Sequence, residues 1–76
     1  MRKIDYSNPK IQDIVQALSN FGTIQKNLYS FQMIPKSKQA AKDAKSTLRS
    51  MISSKDVIGF QVEEPSGVLV VFMDTL

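Results

Sequence analysis

The sequence contains no cysteine and no histidine among its 76 residues. Without cysteine a disulfide framework is impossible, and without both residue types the usual zinc ligands of small domains are missing. The seven acidic residues are scattered along the chain, so neither a metal site nor a nucleophile with its general base is indicated. We therefore expect a protein that is not an enzyme and that uses no metal or cofactor.

Long apolar stretches are also missing. The longest run comprises six residues, 68–73, whereas a helix that crosses a membrane needs about 20. Residues 1–5 lack the apolar segment of a secretory signal. These features predict a cytoplasmic protein that does not enter the membrane. The length predicts a single domain, residues 1–76, which on folding buries only about 60 to 65% of the surface of its unfolded chain.

The basic residues are concentrated in the first two thirds of the chain. Residues 1–50 contain nine of the ten lysines and arginines and three acids, which gives +6 (9 − 3). Residues 51–76 contain one lysine and four acids, which gives −3 (1 − 4), and the sum is the net charge of +3. This polarity favours an anionic partner on the basic side. The alternative is a solvated surface whose charge is uneven and has no partner.

The clearest helix signal lies at Asn8 and Pro9. Asn is a favoured N-cap, and Pro suits the first helical position because its missing N–H is not needed there. Apolar residues follow at helical spacing as far as an expected C-cap at Gly22: Ile11, Ile14, Val15, Leu18 and Phe21. Residues 2–6 alternate weakly in polarity and predict a short edge strand before this helix.

Residues 28–34 predict the next strand, because Tyr29, Phe31 and Met33 alternate with polar residues. The preceding residues leave an alternative open. Residues 23–27 can instead form the first arm of a hairpin that turns at Lys26 and Asn27, which would give two α-β-β units.

A second helix is predicted from the N-cap Ser37 to about Ser53. Two apolar segments follow, residues 57–63 and 68–73, joined by a turn that contains Pro65 and Gly67. Together these elements predict a two-layer α+β domain with the order β-α-β-α-β-β, a four-stranded mixed sheet and both helices on one face. The alternative order is α-β-β-α-β-β.

The turn sequence predicts the register of the last hairpin. Pro65 and Gly67 indicate a three-residue loop with a bulge, so that Glu64 faces Val68. The core face of the hairpin would then contain Ile58, Phe60, Val62, Val68, Val70 and Phe72. The opposite face would expose an apolar patch, which predicts an interface with a partner protein or a second copy: Val57, Leu69, Val71 and Met73.

Basic residues form a stripe along the second helix. Lys38, Lys42, Lys45 and Arg49 are 4, 7 and 11 positions apart and lie within about 60° of each other around the helix. Both Lys38 and Lys36 lie near the helix N-terminus, where the helix dipole favours anions over cations. These five residues are the predicted anion-binding residues.

Two functional hypotheses follow. In the first, the protein is a small basic nucleic-acid-binding regulator that contacts phosphates through this stripe. In the second, it is a protein-binding inhibitor or adaptor of the kind that phages and plasmids encode, acting through the apolar patch as a homodimer or with a target. Because phosphate binding weakens steeply with salt and an apolar interface does not, a salt titration separates the two.

Overall fold

The computed structural model describes residues 2–53 and 55–73. They form two helices and four strands in the order α-β-β-α-β-β, which is the alternative order considered above. The elements are α1 (Pro9–Ser19), β1 (Gly22–Lys26), β2 (Ser30–Pro35), α2 (Lys38–Met51), β3 (Ile58–Glu63) and β4 (Val68–Met73). The fold is therefore α+β, as predicted, but its first strand follows α1 instead of preceding it.

The four strands form one sheet in the order β1-β2-β4-β3, and every neighbouring pair is antiparallel. The prediction of a mixed sheet was wrong, because β4 lies between β2 and β3, the two strands that α2 connects, and pairs antiparallel with both. Each unit contributes one central and one edge strand. The central strands β2 and β4 pair with Gln32 opposite Val70.

The strand predicted over residues 2–6 is not present. Arg2 makes one isolated bridge to Met73, and Ile4 is buried in the core at 6% exposure. The Ile4 N–H donates to the Leu28 carbonyl over 2.9 Å, and the Tyr6 hydroxyl donates to the Asn27 carbonyl over 2.6 Å. This segment is thus fixed to the β1–β2 loop by single contacts. It adds no strand to the sheet.

Both helices begin at the predicted caps. The Asn8 Oδ1 accepts from the Lys10 N–H over 2.9 Å, with Pro9 next in sequence. The Ser37 Oγ accepts from the Ala40 N–H over 3.0 Å. Each side chain satisfies a backbone donor that the helix itself leaves free, which is why both helices begin at these residues. Gly22, predicted as a C-cap, is instead the first residue of β1.

One face of the sheet and the two helices enclose the core. The fully buried side chains come from α1, β2, α2 and β4, and they form one cluster: Ile11, Ile14, Leu18, Phe31, Met33, Ala44, Leu48, Leu69 and Val71. Both helices therefore lie on the same side of the sheet. From α2 the buried residues are Ala40, Ala44 and Leu48, and Ala41 lies half-buried at the flank of this buried side.

The predicted register of the β3–β4 hairpin was wrong by one residue. Glu63, not Glu64, pairs with Val68, and Val62 pairs with Leu69. The loop accordingly contains four residues, and the Gly67 N–H donates to the Glu63 carbonyl over 2.7 Å. Because side chains alternate between faces, a shift of one residue in β4 exchanges its two faces. Leu69 and Val71 therefore face the helices.

Neither α1 nor α2 lies on the opposite face of the sheet. Its side chains are those that alternate with the core residues, and they are mainly uncharged. Polar residues such as Gln25, Gln32 and Gln61 surround a smaller apolar group there, formed by Ile34, Val68, Val70 and Phe72. We call this surface the open face. It replaces the patch predicted from the incorrect register.

Candidate functional site

The basic stripe of α2 lies on the side of the helix turned away from the core. Lys38, Lys42 and Arg49 are exposed and Lys45 is half-buried, while the fully buried residues of the same helix are Ala40, Ala44 and Leu48. Serine and alanine supply many of the other positions of α2. The four basic side chains therefore project together, as the sequence predicted.

No acid among residues 2–53 and 55–73 forms a salt bridge with the stripe. The salt bridge found there joins Lys10 to Asp56, with the Nζ and Oδ2 atoms 3.5 Å apart, away from the stripe. Asp43, the acid of α2, accepts a hydrogen bond from the Gln39 side chain over 3.0 Å. The positive charge of the stripe thus faces solvent without a carboxylate partner within 4.0 Å in the described part of the chain.

A groove of about 420 Å³ lies between the stripe and the β3–β4 turn. Three lysines form one wall of this groove, and residues 64–67 form the other. Ala41 and Val62 also line it. The sequence predicted the stripe, but not that the hairpin turn would lie beside it.

Gly67 allows the turn to lie against α2. Its φ of +77° lies in the left-handed region, which side-chain-bearing residues avoid, and a Cβ there would lie 2.9 Å from the Ala41 Cβ. The small residue at 41 and the glycine at 67 therefore set the width of the groove. Glu64, on the turn side, is the only acid that lines the groove among the described residues, and its charge opposes a phosphate on that side.

Lys36 is exposed and precedes α2, but it is not among the residues that line the groove. Its backbone N–H donates to the Phe21 carbonyl over 3.0 Å, which fixes the connection between β2 and α2. The structure therefore brings Lys38, Lys42 and Lys45 together at the groove. Lys36 and Arg49 extend the charge beyond its two ends.

The residues predicted as a protein interface do not form an exposed patch. Leu69 and Val71 are 1% and 0% exposed in the core, and Met73 is half-buried on the same face. Val57 lines a smaller cleft of about 170 Å³ with Lys10, Met73 and others. The incorrect hairpin register explains the error, because it assigned the buried side of β4 to solvent.

Sequence reasoning missed a second basic region at the β1–β2 loop. Leu28 and Tyr29 are 57% and 46% exposed there, and Lys26, Arg2 and Lys3 lie in the strand and segment that meet the loop. The alternation of Tyr29 with Phe31 and Met33 suggested one continuous strand. β2 begins only at Ser30, so Tyr29 lies in the loop and Phe31 in the core.

Among residues 2–53 and 55–73, no three acidic, cysteine or histidine side chains are placed to hold a metal ion. Neither α1 nor α2 has the length and apolar character needed to cross a membrane. Comparison with protein-family models, with curated proteins and with solved structures finds no match to the chain.

Proposed function

We propose that the protein is a non-enzymatic nucleic-acid-binding regulator that contacts phosphates through Lys36, Lys38, Lys42, Lys45 and Arg49. The observation that carries this proposal is the exposed stripe of α2, which has no acidic partner in the described part of the chain. From Lys38 to Arg49 the helix rises about 16 Å. One strand of DNA carries a phosphate about every 3.4 Å along the duplex axis, so the stripe matches the length of a few consecutive phosphates.

The groove beside the stripe supports the same proposal. A phosphate close to α2 would contact lysines from one wall, while the turn that carries Glu64 forms the far wall. Repulsion between Glu64 and the phosphates therefore directs the backbone of the nucleic acid toward the helix. Contacts of this kind hold and orient the nucleic acid, but they do not read its sequence.

The experiment compares the wild type with a variant that carries Lys38→Gln, Lys42→Gln and Lys45→Gln. Gln is a comparable helix former and these residues lie off the buried side, so the fold should persist. Because each phosphate contact releases condensed counterions, the slope of log affinity against log salt should decrease by about two to three units. Fluorescence anisotropy with a labelled oligonucleotide at several salt concentrations measures this slope.

The matched control uses single changes. Lys42→Gln should weaken binding, whereas Lys55→Gln, an equal loss of charge outside the stripe and the groove, should change affinity much less. If the protein binds neither DNA nor RNA at low salt, or if the triple change leaves binding unaltered, the proposal is wrong.

The open face supports a second candidate function, self-association as a homodimer. Val68, Val70 and Phe72 lie there half-buried, with neither α1 nor α2 over them. A second copy suits this surface, because pairing through the open faces keeps both α2 stripes on the outside and avoids contact between like charges. Sedimentation at high concentration tests it: Val70→Lys should yield a folded monomer, and a monomeric wild type removes the candidate.

A further inference from the structure

Two large apolar side chains occupy the tip of the β1–β2 loop. Leu28 and Tyr29 are 57% and 46% exposed, and neither belongs to the core cluster. Ile34, on the open face, is the other exposed large apolar residue in the described ranges, at 38%. An exposed apolar loop held by a folded scaffold is a common location for binding residues.

Hydrogen bonds from two segments hold this loop in place. The Tyr6 hydroxyl donates to the Asn27 carbonyl over 2.6 Å, and the Asn27 N–H donates to the Ser30 carbonyl over 2.9 Å. The Ile4 N–H donates to the Leu28 carbonyl over 2.9 Å. Burial raises the pKa of the Tyr6 hydroxyl, which favours its protonated, donating form. Tyr29 is thus presented by a fixed loop, and little ordering is required when it binds.

Basic residues surround the same loop. Arg2 and Lys3 precede Ile4, whose N–H bonds to Leu28, and both are exposed. Lys26 ends β1, with its Nζ 5.5 Å from the centre of the Tyr6 ring. The nearby acid, Asp5, already accepts hydrogen bonds from the Ser7 hydroxyl and N–H over 2.5 and 3.0 Å. We call Arg2, Lys3, Lys26, Leu28 and Tyr29 the basic tip.

We infer that the basic tip binds single-stranded nucleic acid, with Tyr29 stacked on one unpaired base and Arg2, Lys3 and Lys26 on the adjacent phosphates. An exposed aromatic ring among basic residues is the combination that single-strand-binding surfaces use, since every base has a face on which a ring can stack. Inside a duplex those faces are covered by neighbouring base pairs. The inference rests on the proposed function and adds a preference for single strands, because the α2 stripe contains no aromatic residue.

The tip lies at the opposite end of the sheet from the β3–β4 turn. β1 runs toward the tip and β2 returns from it, and β4, antiparallel to β2, runs from the turn toward the tip. The groove at the start of α2 and the basic tip are therefore separate contacts. Charge alone acts at the groove, so it should accept duplex and single strand alike. The tip should distinguish them.

The test measures the affinities of the wild type, Tyr29→Ala and Tyr29→Phe for an oligothymidylate and for a DNA duplex of the same length. Tyr29→Ala should lose about tenfold in affinity for the single strand, the effect expected for one stacked base. Its affinity for the duplex should stay unchanged. Tyr29→Phe keeps the ring and should bind the single strand almost as the wild type does. Gln16→Ala, a change at an exposed residue of α1 outside the tip, should alter neither affinity.

Tyrosine fluorescence provides a second, direct readout. The chain has no tryptophan and two tyrosines, and Tyr6 packs against Phe31 with the ring centres 6.3 Å apart. Stacking of Tyr29 on a base should quench part of the wild-type emission when the oligothymidylate is added. In Tyr29→Phe the remaining emission comes from Tyr6 and should stay constant.

Several outcomes overturn the inference. It is wrong if Tyr29→Ala keeps the wild-type affinity for the single strand, or if it loses single strand and duplex equally. It is also wrong if Tyr29→Ala loses affinity for vesicles of anionic phospholipid while its affinity for oligothymidylate is unaltered, because the tip then binds a lipid surface. Failure of the α2 proposal looks different: the triple lysine variant then binds like the wild type, whatever Tyr29→Ala does.

Discussion

The two α-β-β units have the same order of elements, but their helices differ in the apolar area that they bury and in the charge that they expose. In the first unit α1 buries Ile11, Ile14 and Leu18, and its exposed side is mostly neutral, with Gln12, Gln16 and Ser19. In the second unit α2 buries two alanines and Leu48 and exposes the basic stripe. One helix thus supplies apolar area to the core, and the other supplies charge to the surface.

In the loops, the difference in charge between the two units is the reverse of that between the helices. The β1–β2 loop of the first unit exposes Leu28 and Tyr29 near basic residues, whereas the β3–β4 turn of the second unit carries Glu64 and lies against α2. Each unit therefore has one basic surface, but in different positions: on the loop in the first unit and on the helix in the second. Repetition of a fold does not imply repetition of its binding surface.

The largest effect on unfolding free energy should come from changes to the buried residues of the two helices. Ile14→Ala removes a fully buried side chain of α1 and should cost about 2 to 5 kcal/mol of unfolding free energy. Ala44→Gly, at an equally buried position of α2, removes one methyl group and adds backbone freedom, for about 1 to 2 kcal/mol. Urea unfolding measures both. Gln16→Ala, on the exposed side of α1, should stay within about 0.5 kcal/mol of the wild type.

If Ala44→Gly destabilises the protein as much as Ile14→Ala, the stated difference between the helices, in which α1 supplies core area and α2 supplies surface charge, is wrong. α2 would then be as important to the core as α1, and its basic stripe would be the solvated side of a structural helix.

The sequence predicted most elements because their signals are local. The N-caps Asn8 and Ser37 and the apolar spacing of both helices depend only on nearby residues, and both helices start where predicted. The stripe of α2 was predictable for the same reason: once a helix is assigned, its spacing determines which side chains project together. The groove was not, since it depends on the packing of a distant turn on the helix.

The register of β3 and β4 was not predictable from the polarity pattern. Residues 68–73 are all apolar, so both faces of β4 satisfy a core equally well and the pattern favours neither register. The loop length alone decides, and it is four residues, not three. The prediction of the first strand was wrong for a related reason. Residues 2–6 and residues 22–26 are both short and weakly patterned, so the sequence does not show which of the two segments pairs with β2. In the structure, residues 22–26 do.

A charge change at the two N-caps tests whether the two helices differ in the anion binding of their first turns. Ser37→Asp keeps a good cap and places an acid at the start of α2, where it should stabilise the protein by about 0.3 to 1 kcal/mol through the helix dipole. The same acid lies one residue from Lys38 and should weaken binding of an oligonucleotide. Asn8→Asp should give a similar gain in α1 without affecting duplex binding. Anisotropy and urea unfolding on the same samples separate the two effects.

A Ser37→Asp variant that binds as tightly as the wild type would contradict phosphate binding at the start of α2. If Asn8→Asp weakens duplex binding by the same factor, the effect is one of net charge only, and the position of the stripe has no role.

The smallest effect concerns one carboxylate in each unit, and its sign follows from the pKa shifts. The Ser7 hydroxyl, and then the Ser7 N–H, lower the pKa of Asp5 below its ordinary value of 3.8. For Asp56 the Ser53 N–H, 2.7 Å from Oδ2, lowers the pKa most, with Lys10 contributing less.

A carboxylate whose pKa is lowered in the folded state stabilises the protein above the ordinary pKa, and this stability is lost as the pH falls through the folded pKa. Ser7→Ala should therefore reduce stability at pH above about 5, and its difference from the wild type should disappear once the pH falls below the folded pKa, where Asp5 is protonated in both proteins. Ser53→Ala retains the backbone donor, so the pKa of Asp56 should remain low. NMR titration of the side-chain carboxyl carbons measures both pKa values directly. If Ser53→Ala raises the pKa of Asp56 as far as Ser7→Ala raises that of Asp5, the backbone does not hold the second carboxylate and this difference between the units disappears.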